Sequence, residues 1–97
     1  RRRMASEVLT KEGINYTKLM YYVYILRLVN KQPYVGSTDD LKKRVRDHNQ
    51  GKCVSTKQYL PVRLFWYCCF TNKIKALQFE KYLKSGSGTA FRHRRIE

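Results

Sequence analysis

From Tyr21 to Val29 the chain reads YYVYILRLV. As a strand, this run places Tyr22, Tyr24, Leu26 and Leu28 on one face and Tyr21, Val23, Ile25 and Val29 on the other. A segment that is apolar on both faces has no side to give to water, so it belongs in the middle of a sheet. Asn30, Lys31 and Gln32 follow as a polar turn, and Tyr34-Val35-Gly36 returns as a short second strand. Pro33 lies near the start of that strand, where a missing N–H is tolerated. The two runs make a hairpin around which the rest of the domain must be arranged.

Ser37 and Asp40 have the S-x-x-D spacing of a helix N-terminus, and the pattern that follows predicts a helix up to Gly51, a C-terminal cap. Within it Leu41, Arg44, Val45 and His48 fall at i, i+3, i+4 and i+7, so an arginine and a histidine share the inward-leaning stripe with two aliphatic residues. Lys42, Lys43, Arg46 and Asp47 occupy the solvated side. A loop over Lys52–Pro61 leads to a third strand, Val62–Phe70 (VRLFWYCCF), and Asn72 begins a second helix. There Ala76, Phe79, Glu80 and Leu83 mark one face by the same spacing. Glu80 is the one acidic residue between Asp47 and Glu97, and it sits among apolar positions. Gly86 and Gly88 in KSGSG predict a bend, followed by a basic tail or short helix, FRHRR.

With 97 residues and 42% apolar side chains, the chain can build one modest core. Residues 20–97 are read as that single domain. Residues 1–19 are polar and weakly patterned and are read as an extension, partly disordered or foreign to the native chain, whose start is Met4 or Met20. Arg1 to Arg3 have no apolar signal core behind them, so no secretory peptide is expected. No run approaches the roughly 18 apolar residues of a spanning helix, so no membrane partner is expected either. Three cysteines, an odd count, argue against a disulfide framework and for a reducing cytoplasm. Cys68 and Cys69 are adjacent in a strand, point to opposite faces and make a poor metal pair. With Cys53 they are read as packing residues.

Twenty-one Lys and Arg against seven Asp and Glu leave a net charge of +14, far more than solubility needs. A polyanionic partner follows, and nucleic acid fits best. Glu80 and Arg44 have a bland explanation as an ion pair across the sheet. Half-burying two ions costs several kcal/mol each, roughly, and gains little over apolar residues of equal volume, so stability alone explains them badly. Misplaced charges cluster at functional sites. Two tyrosines on a hairpin, an arginine and a histidine on one helix and a glutamate on another are what phosphodiester hydrolysis by a basic protein would need.

The tripeptides Val23-Tyr24-Ile25 and Tyr34-Val35-Gly36, separated by this hairpin, resemble the paired signature of the GIY-YIG nuclease superfamily. The stretches YVGSTDDLKKRVRDHNQG, STKQYLP and ALQFEKYLKSGSG extend the likeness from Met20 to about Arg95. They are similar to the small stand-alone, URI-type members and to the N-terminal nuclease domain of the excision-repair endonuclease UvrC. The resemblance implies an α+β fold, a three-stranded antiparallel sheet flanked by helices. It also implies one divalent metal, magnesium with manganese as a substitute, and no small-molecule cofactor. It assigns Glu80 as metal ligand, Tyr24 as general base or water-orienting group, Tyr34 as its partner, Arg44 as phosphate clamp and His48 as the position where relatives have histidine or tyrosine.

On that reading Gly36 admits close backbone approach, and Ser37 and Thr38 sit where a helix N-terminus can face a phosphate. Lys57 in the loop and Arg92, Arg94 and Arg95 in the tail are expected to contact nucleic acid. Val23 and Val35 replace the glycine and isoleucine of the named motif. Several relatives carry a phosphate-holding asparagine beyond the helix glutamate, and between Lys81 and Glu97 there is none; Ser85, Ser87, Thr89 and Arg92 are the substitutes at hand. The expected enzyme is a monomeric, metal-dependent nuclease acting on DNA, single-stranded or structured, as in repair or recombination. A non-catalytic nucleic-acid-binding protein of the same fold is the alternative, and a basic structural protein of a ribonucleoprotein particle a third. DNA against RNA, and any preferred sequence, are not readable from the chain.

Overall fold

The computed structural model describes residues 5–10 and 13–97, with side chains from Met20 onward. The first two strands, β1 (Ala5–Thr10) and β2 (Gly13–Leu19), pair antiparallel as a two-stranded sheet of their own. This hairpin occupies the stretch read as an extension, where weak patterning predicted no element. Arg1 to Met4 lie outside the described residues.

The domain proper is a three-stranded antiparallel sheet with three helices. Strand β3 (Tyr21–Arg27) is central, β4 (Pro33–Thr38) pairs with it on one side and β5 (Arg63–Phe70) on the other. The central position expected for the YYVYILR run is observed: Tyr22 through Leu26 are all buried. The strand ends at Arg27 rather than Val29. Leu28 N–H turns to the carbonyl of Gln32, and Val29 N–H to that of Tyr59. Lys31 takes a left-handed backbone, φ 71°, to close the turn.

Helix α1 (Leu41–Asn49) is capped by Asp40, whose carboxylate accepts the Lys43 N–H. The cap is thus Asp40 itself and not Ser37, which belongs to β4. Gly51 behaves as expected: at φ +78° it stops the helix while its N–H reaches the His48 carbonyl. Beyond the helix, Asn49 holds both backbone groups of Val62 with its side-chain amide, so Val62 enters the core just ahead of β5.

Helix α2 (Lys73–Lys84) starts at the Asn72 cap, as predicted. The KSGSG stretch opens a third helix, α3 (Gly86–Arg95), capped by Ser85. The basic tail is therefore a full helix, and Gly88 lies in its first turn. A Cβ on Gly88 would overlap the Tyr82 carbonyl, so glycine is what lets α3 start hard against the end of α2.

The sheet divides two packing layers. On one face Tyr22, Tyr24, Leu26 and Leu28 pack with Leu41 and Val62. On the other Val23, Ile25 and Val35 pack with Ala76 and Leu83, with Trp66, Phe79 and Phe91 around them. Strand β4 forms the edge where the α1 layer and the α2 layer meet. Among the described residues no helix is long and apolar enough to cross a membrane.

Candidate active site

Alternation along β4 sends Tyr34 and Gly36 toward the α1 layer, and Val35 and Ser37 toward the α2 layer. Opposite Gly36 in the ladder stands Tyr24. Its ring lies across the glycine so closely that a Cβ there would overlap the phenol hydroxyl. Gly36 thus makes room for a catalytic candidate of this chain, and the expected close approach to its backbone is made by Tyr24.

The Tyr24 hydroxyl lies 3.2 Å from Nε2 of His48, and Nδ1 of that ring lies 2.8 Å from the Thr56 hydroxyl. All three side chains are buried, at 1%, 0% and 0% exposure. Tyr34 completes the cluster from β4, its ring 5.2 Å from the His48 ring and edge-on to it at 67°. Burial pushes the Tyr24 phenol up to about 12, although the adjacent Arg44 guanidinium pulls it down. Burial likewise raises Tyr34. His48 is held below its ordinary value, first by burial and then by Arg44, against the opposing charge of Asp47. The ring is therefore neutral at pH 7, and neither tyrosine is ionised.

Arg44 is exposed, unlike its neighbours on the helix stripe Leu41 and His48. It lines a cleft of about 240 Å³ with Tyr21, Ser37, Thr38, Asp39, Lys73, Ala76 and Leu77. Glu80 enters one turn beyond Ala76. Its Oε1 accepts a 2.6 Å hydrogen bond from Ser37 Oγ, and its Oε2 pairs with Lys84 at 2.8 Å. The ion pair read as a bland explanation for Glu80 is thus made with Lys84, not Arg44. Burial works to raise the Glu80 carboxyl, but Lys84, Ser37 and Arg44 outweigh it and hold the group below its usual range.

Among the described residues no three His, Cys, Asp or Glu side chains are grouped to hold a metal ion. One ionised carboxylate, hydrogen-bonded to the cleft residue Ser37, nevertheless suits magnesium, which takes oxygen ligands and keeps several of its waters. The residues present fit such an ion, with Glu80 as protein ligand and Lys84, half-exposed, free to swing away.

The remaining expectations divide. Thr38 lines the cleft, but its hydroxyl is tied to the backbone N–H and carbonyl of Asp40. The start of α1 carries Asp39 and Asp40, an unfavourable setting for a phosphate at that helix end. Lys57 is exposed on its loop. Arg94 and Arg95 are exposed on α3, beside a separate depression lined also by Tyr82, Ser87 and Phe91. Arg92, expected to face nucleic acid, is turned inward at 8% exposure and hydrogen-bonds the Leu83 carbonyl, Glu97 and Thr89. Ser85 and Thr89 are likewise engaged in the start of α3, so three of the four substitutes for the missing asparagine have structural partners.

Cys53 departs from its reading as a packing residue. Its sulfur lies 3.9 Å from the Tyr34 hydroxyl. Burial raises the thiol, but hydrogen bonds from the Ser55 backbone, Tyr34 and Thr56 prevail and bring it below its usual value. Cys69 is exposed, and only Cys68 packs as expected. Lys73, Tyr21 and Thr56 were not singled out by sequence reasoning. Strand alternation marks Tyr21 only as a residue on one face of the central strand, Lys73 is one lysine among many, and Thr56 stands in a loop.

The family model of the GIY-YIG catalytic domain matches residues 20–94. The chain is 44% identical over 64 residues to a UPF0213 protein of Streptococcus pyogenes serotype M3, covering 65% of this chain and 70% of that one. It is 45% identical over 65 residues to the UPF0213 protein of Lacticaseibacillus paracasei, covering 66% and 73%. Among solved structures, the solution NMR structure of a UPF0213 protein from Bacillus halodurans superposes with a TM-score of 0.51 at 28% identity, covering 80% of this chain and 87% of that one.

Proposed function

Because this chain belongs to the GIY-YIG catalytic domain family, we propose that it is a metal-dependent endonuclease that hydrolyses phosphodiester bonds in DNA, with its site at the outer edge of β4. The observation that carries the reading is the convergence there of three functions from three elements. Arg44 brings a fixed cation, the Tyr24–His48 pair a route for a proton, and Glu80 an ionised oxygen ligand.

Arg44 presents its planar fork of donors to the cleft, where it clamps phosphate oxygens and meets the negative charge that grows on them in the transition state. Tyr24, with a phenol pushed up to about 12, is a poor base if it must ionise first. Its contact with Nε2 of His48 removes that need. A water molecule against the phenol oxygen gives up its proton to that oxygen as the phenol proton passes to Nε2. The neutral imidazole is the net base, and the tyrosine never carries a full charge. Tyr34 packs across the ring and keeps it in place. Glu80 would hold the divalent metal, magnesium or manganese, which when bound shields the phosphate and acidifies water. Lys73, Lys57, Arg94 and Arg95 extend the basic surface over which a nucleic-acid backbone runs, and the unusual net charge of +14 supports that partner.

The test is incubation of the protein with labelled single-stranded, duplex and flapped DNA and with RNA, with and without magnesium, beside Glu80→Ala. The expected result is metal-dependent cutting of DNA by the wild type. The variant should lose cutting while still binding DNA and melting within a few degrees of the wild type, since Lys84 is a half-exposed partner at i+4. A wild type that binds nucleic acid and never cuts it, with either metal, would identify a binding protein built on a nuclease fold.

A further inference from the structure

Thr56 lies in the loop between α1 and β5, and all its immediate neighbours, Val54, Ser55, Lys57, Gln58 and Tyr59, are exposed. It alone in that stretch is wholly buried. The loop is shaped to deliver it. Thr56 N–H and Lys57 N–H both turn back to the Cys53 carbonyl, and the Thr56 carbonyl accepts the Tyr59 N–H. What the buried hydroxyl meets is Nδ1 of His48, at 2.8 Å.

A neutral imidazole has one N–H and one lone pair, so the two partners of His48 cannot both play the same part. Either Nδ1–H donates to Thr56 and Nε2 accepts from the Tyr24 hydroxyl, or Thr56 donates to Nδ1 and Nε2–H points at the Tyr24 oxygen. Arg44 separates the two. Its guanidinium lies beside the Tyr24 hydroxyl and has donors only, so it needs a phenol lone pair turned toward it. In the second arrangement Nε2–H and the guanidinium both donate to the phenol oxygen, and the phenol hydrogen is left to find another acceptor. In the first, the hydrogen goes to Nε2 and the phenol lone pairs are left for Arg44. The Thr56 hydrogen then has the Cys53 sulfur as its acceptor, consistent with the hydrogen bond Thr56 contributes there.

We propose that Thr56 is a positioning residue, whose hydroxyl oxygen holds His48 in the tautomer protonated at Nδ1 and so keeps Nε2 open to the Tyr24 proton. The inference concerns a residue outside the catalytic set and rests on the nuclease reading only for its consequence in cleavage. The arrangement of protons can be measured without any substrate.

The experiment is long-range ¹H–¹⁵N NMR of the uniformly labelled protein above pH 7, with the His48 signals identified by their loss in His48→Gln. The expected spectrum shows the proton on Nδ1 and a bare Nε2. Thr56→Val keeps the shape and removes the acceptor, so the tautomer should move toward Nε2–H and the cleavage rate should fall by about 10²-fold, the lower end of what general acid–base catalysis supplies. Thr56→Ser keeps the hydroxyl and should restore both. A wild-type ring protonated on Nε2, or a folded Thr56→Val protein with the wild-type tautomer, overturns the proposal. If Thr56→Val does not fold, the wild-type and Thr56→Ser spectra decide. A wild type that carries the expected tautomer and cuts no nucleic acid overturns the nuclease reading and leaves the assignment of Thr56 standing.

Discussion

The two faces of the sheet are built from alternate residues of the same strands, yet they differ in kind. Toward α2 and α3 the buried hydrophobic residues are Val23, Ile25, Val35, Ala76 and Leu83, with aromatic side chains closing over them. Toward α1 the same central strand contributes Tyr22 and Tyr24, and beside them His48 and Thr56 are completely enclosed. A polar group in an interior must find a partner or cost about 1–3 kcal/mol. Among the described residues no buried side-chain nitrogen or oxygen is left without one. The comparison teaches that one layer of this small domain holds it together by shape, while the other accepts a chain of hydroxyls and an imidazole because each satisfies the next. The chemistry proposed for the protein runs through the second layer and meets the first at the cleft, where Arg44 faces α2 residues and Ser37 hydrogen-bonds Glu80.

The sharpest way to break that contrast is Tyr24→Phe, which keeps the ring and removes the hydroxyl. Cleavage should fall by roughly 10²- to 10⁴-fold, while DNA binding measured by anisotropy changes little and the melting temperature drops by several degrees, because Nε2 of the buried His48 loses its partner. Wild-type cutting by this variant would move the proton route to Tyr34 or to His48 directly.

In the opposite layer, Leu83→Ala empties a site of 0% exposure and should cost about 2–5 kcal/mol in urea denaturation. The folded fraction should keep its cleavage rate. A loss of rate without a loss of stability would show that the apolar layer takes part in the chemistry.

A smaller effect should appear on lowering the pH. His48 titrates below its unfolded-state value because burial and Arg44 disfavour its cation. As pH falls below about 6.5, protons therefore bind the unfolded chain first. The stability contributed by the neutral ring is complete above that value and is lost progressively below it. Thermal melts from pH 8 to 5 should show the decline, and His48→Gln should flatten it. Cleavage by the folded protein should persist to lower pH and decline only as the folded ring itself takes up a proton, since a protonated Nε2 cannot accept the phenol proton.

The smallest effect belongs to the surface. Arg94→Ser with Arg95→Ser should reduce the slope of log affinity against log salt by roughly 0.7 to 0.9 for each phosphate that is no longer neutralised, with the cleavage rate at saturating DNA unchanged. An unaltered slope would remove α3 from the nucleic-acid surface.

Much of this was legible in the chain. The two-sided apolar run placed β3 at the centre of the sheet, Asn72 and Gly51 marked helix ends, and the stripe of Leu41, Arg44, Val45 and His48 located the inward side of α1, with Arg44 turned out to solvent. These signals are complete within a few residues, because strand alternation, helical periodicity and caps are properties of neighbours in sequence. Tyr24, Arg44 and Glu80 were recognisable as candidates because a lone acid in a basic chain and an arginine on an apolar stripe are out of place.

Other assignments depended on interactions that no local pattern encodes. Ser37 has the spacing of a helix cap, but its β4 position turns it to Glu80, 43 residues on, and Asp40 caps the helix. Arg92 has the composition of a basic tail, but α3 folds back on α2 and spends it on the Leu83 carbonyl and Glu97. Thr56 is one hydroxyl in a polar loop until that loop closes over His48. By itself the sequence determined the sheet hairpin, the helices that follow and the set of candidate groups for the chemistry proposed. Tertiary structure decided which of those groups meet: hydrogen bonds and charge interactions reach only a few ångströms, and the β4 edge brings residues 24, 37, 44, 48, 56 and 80 within that range only when both layers have packed.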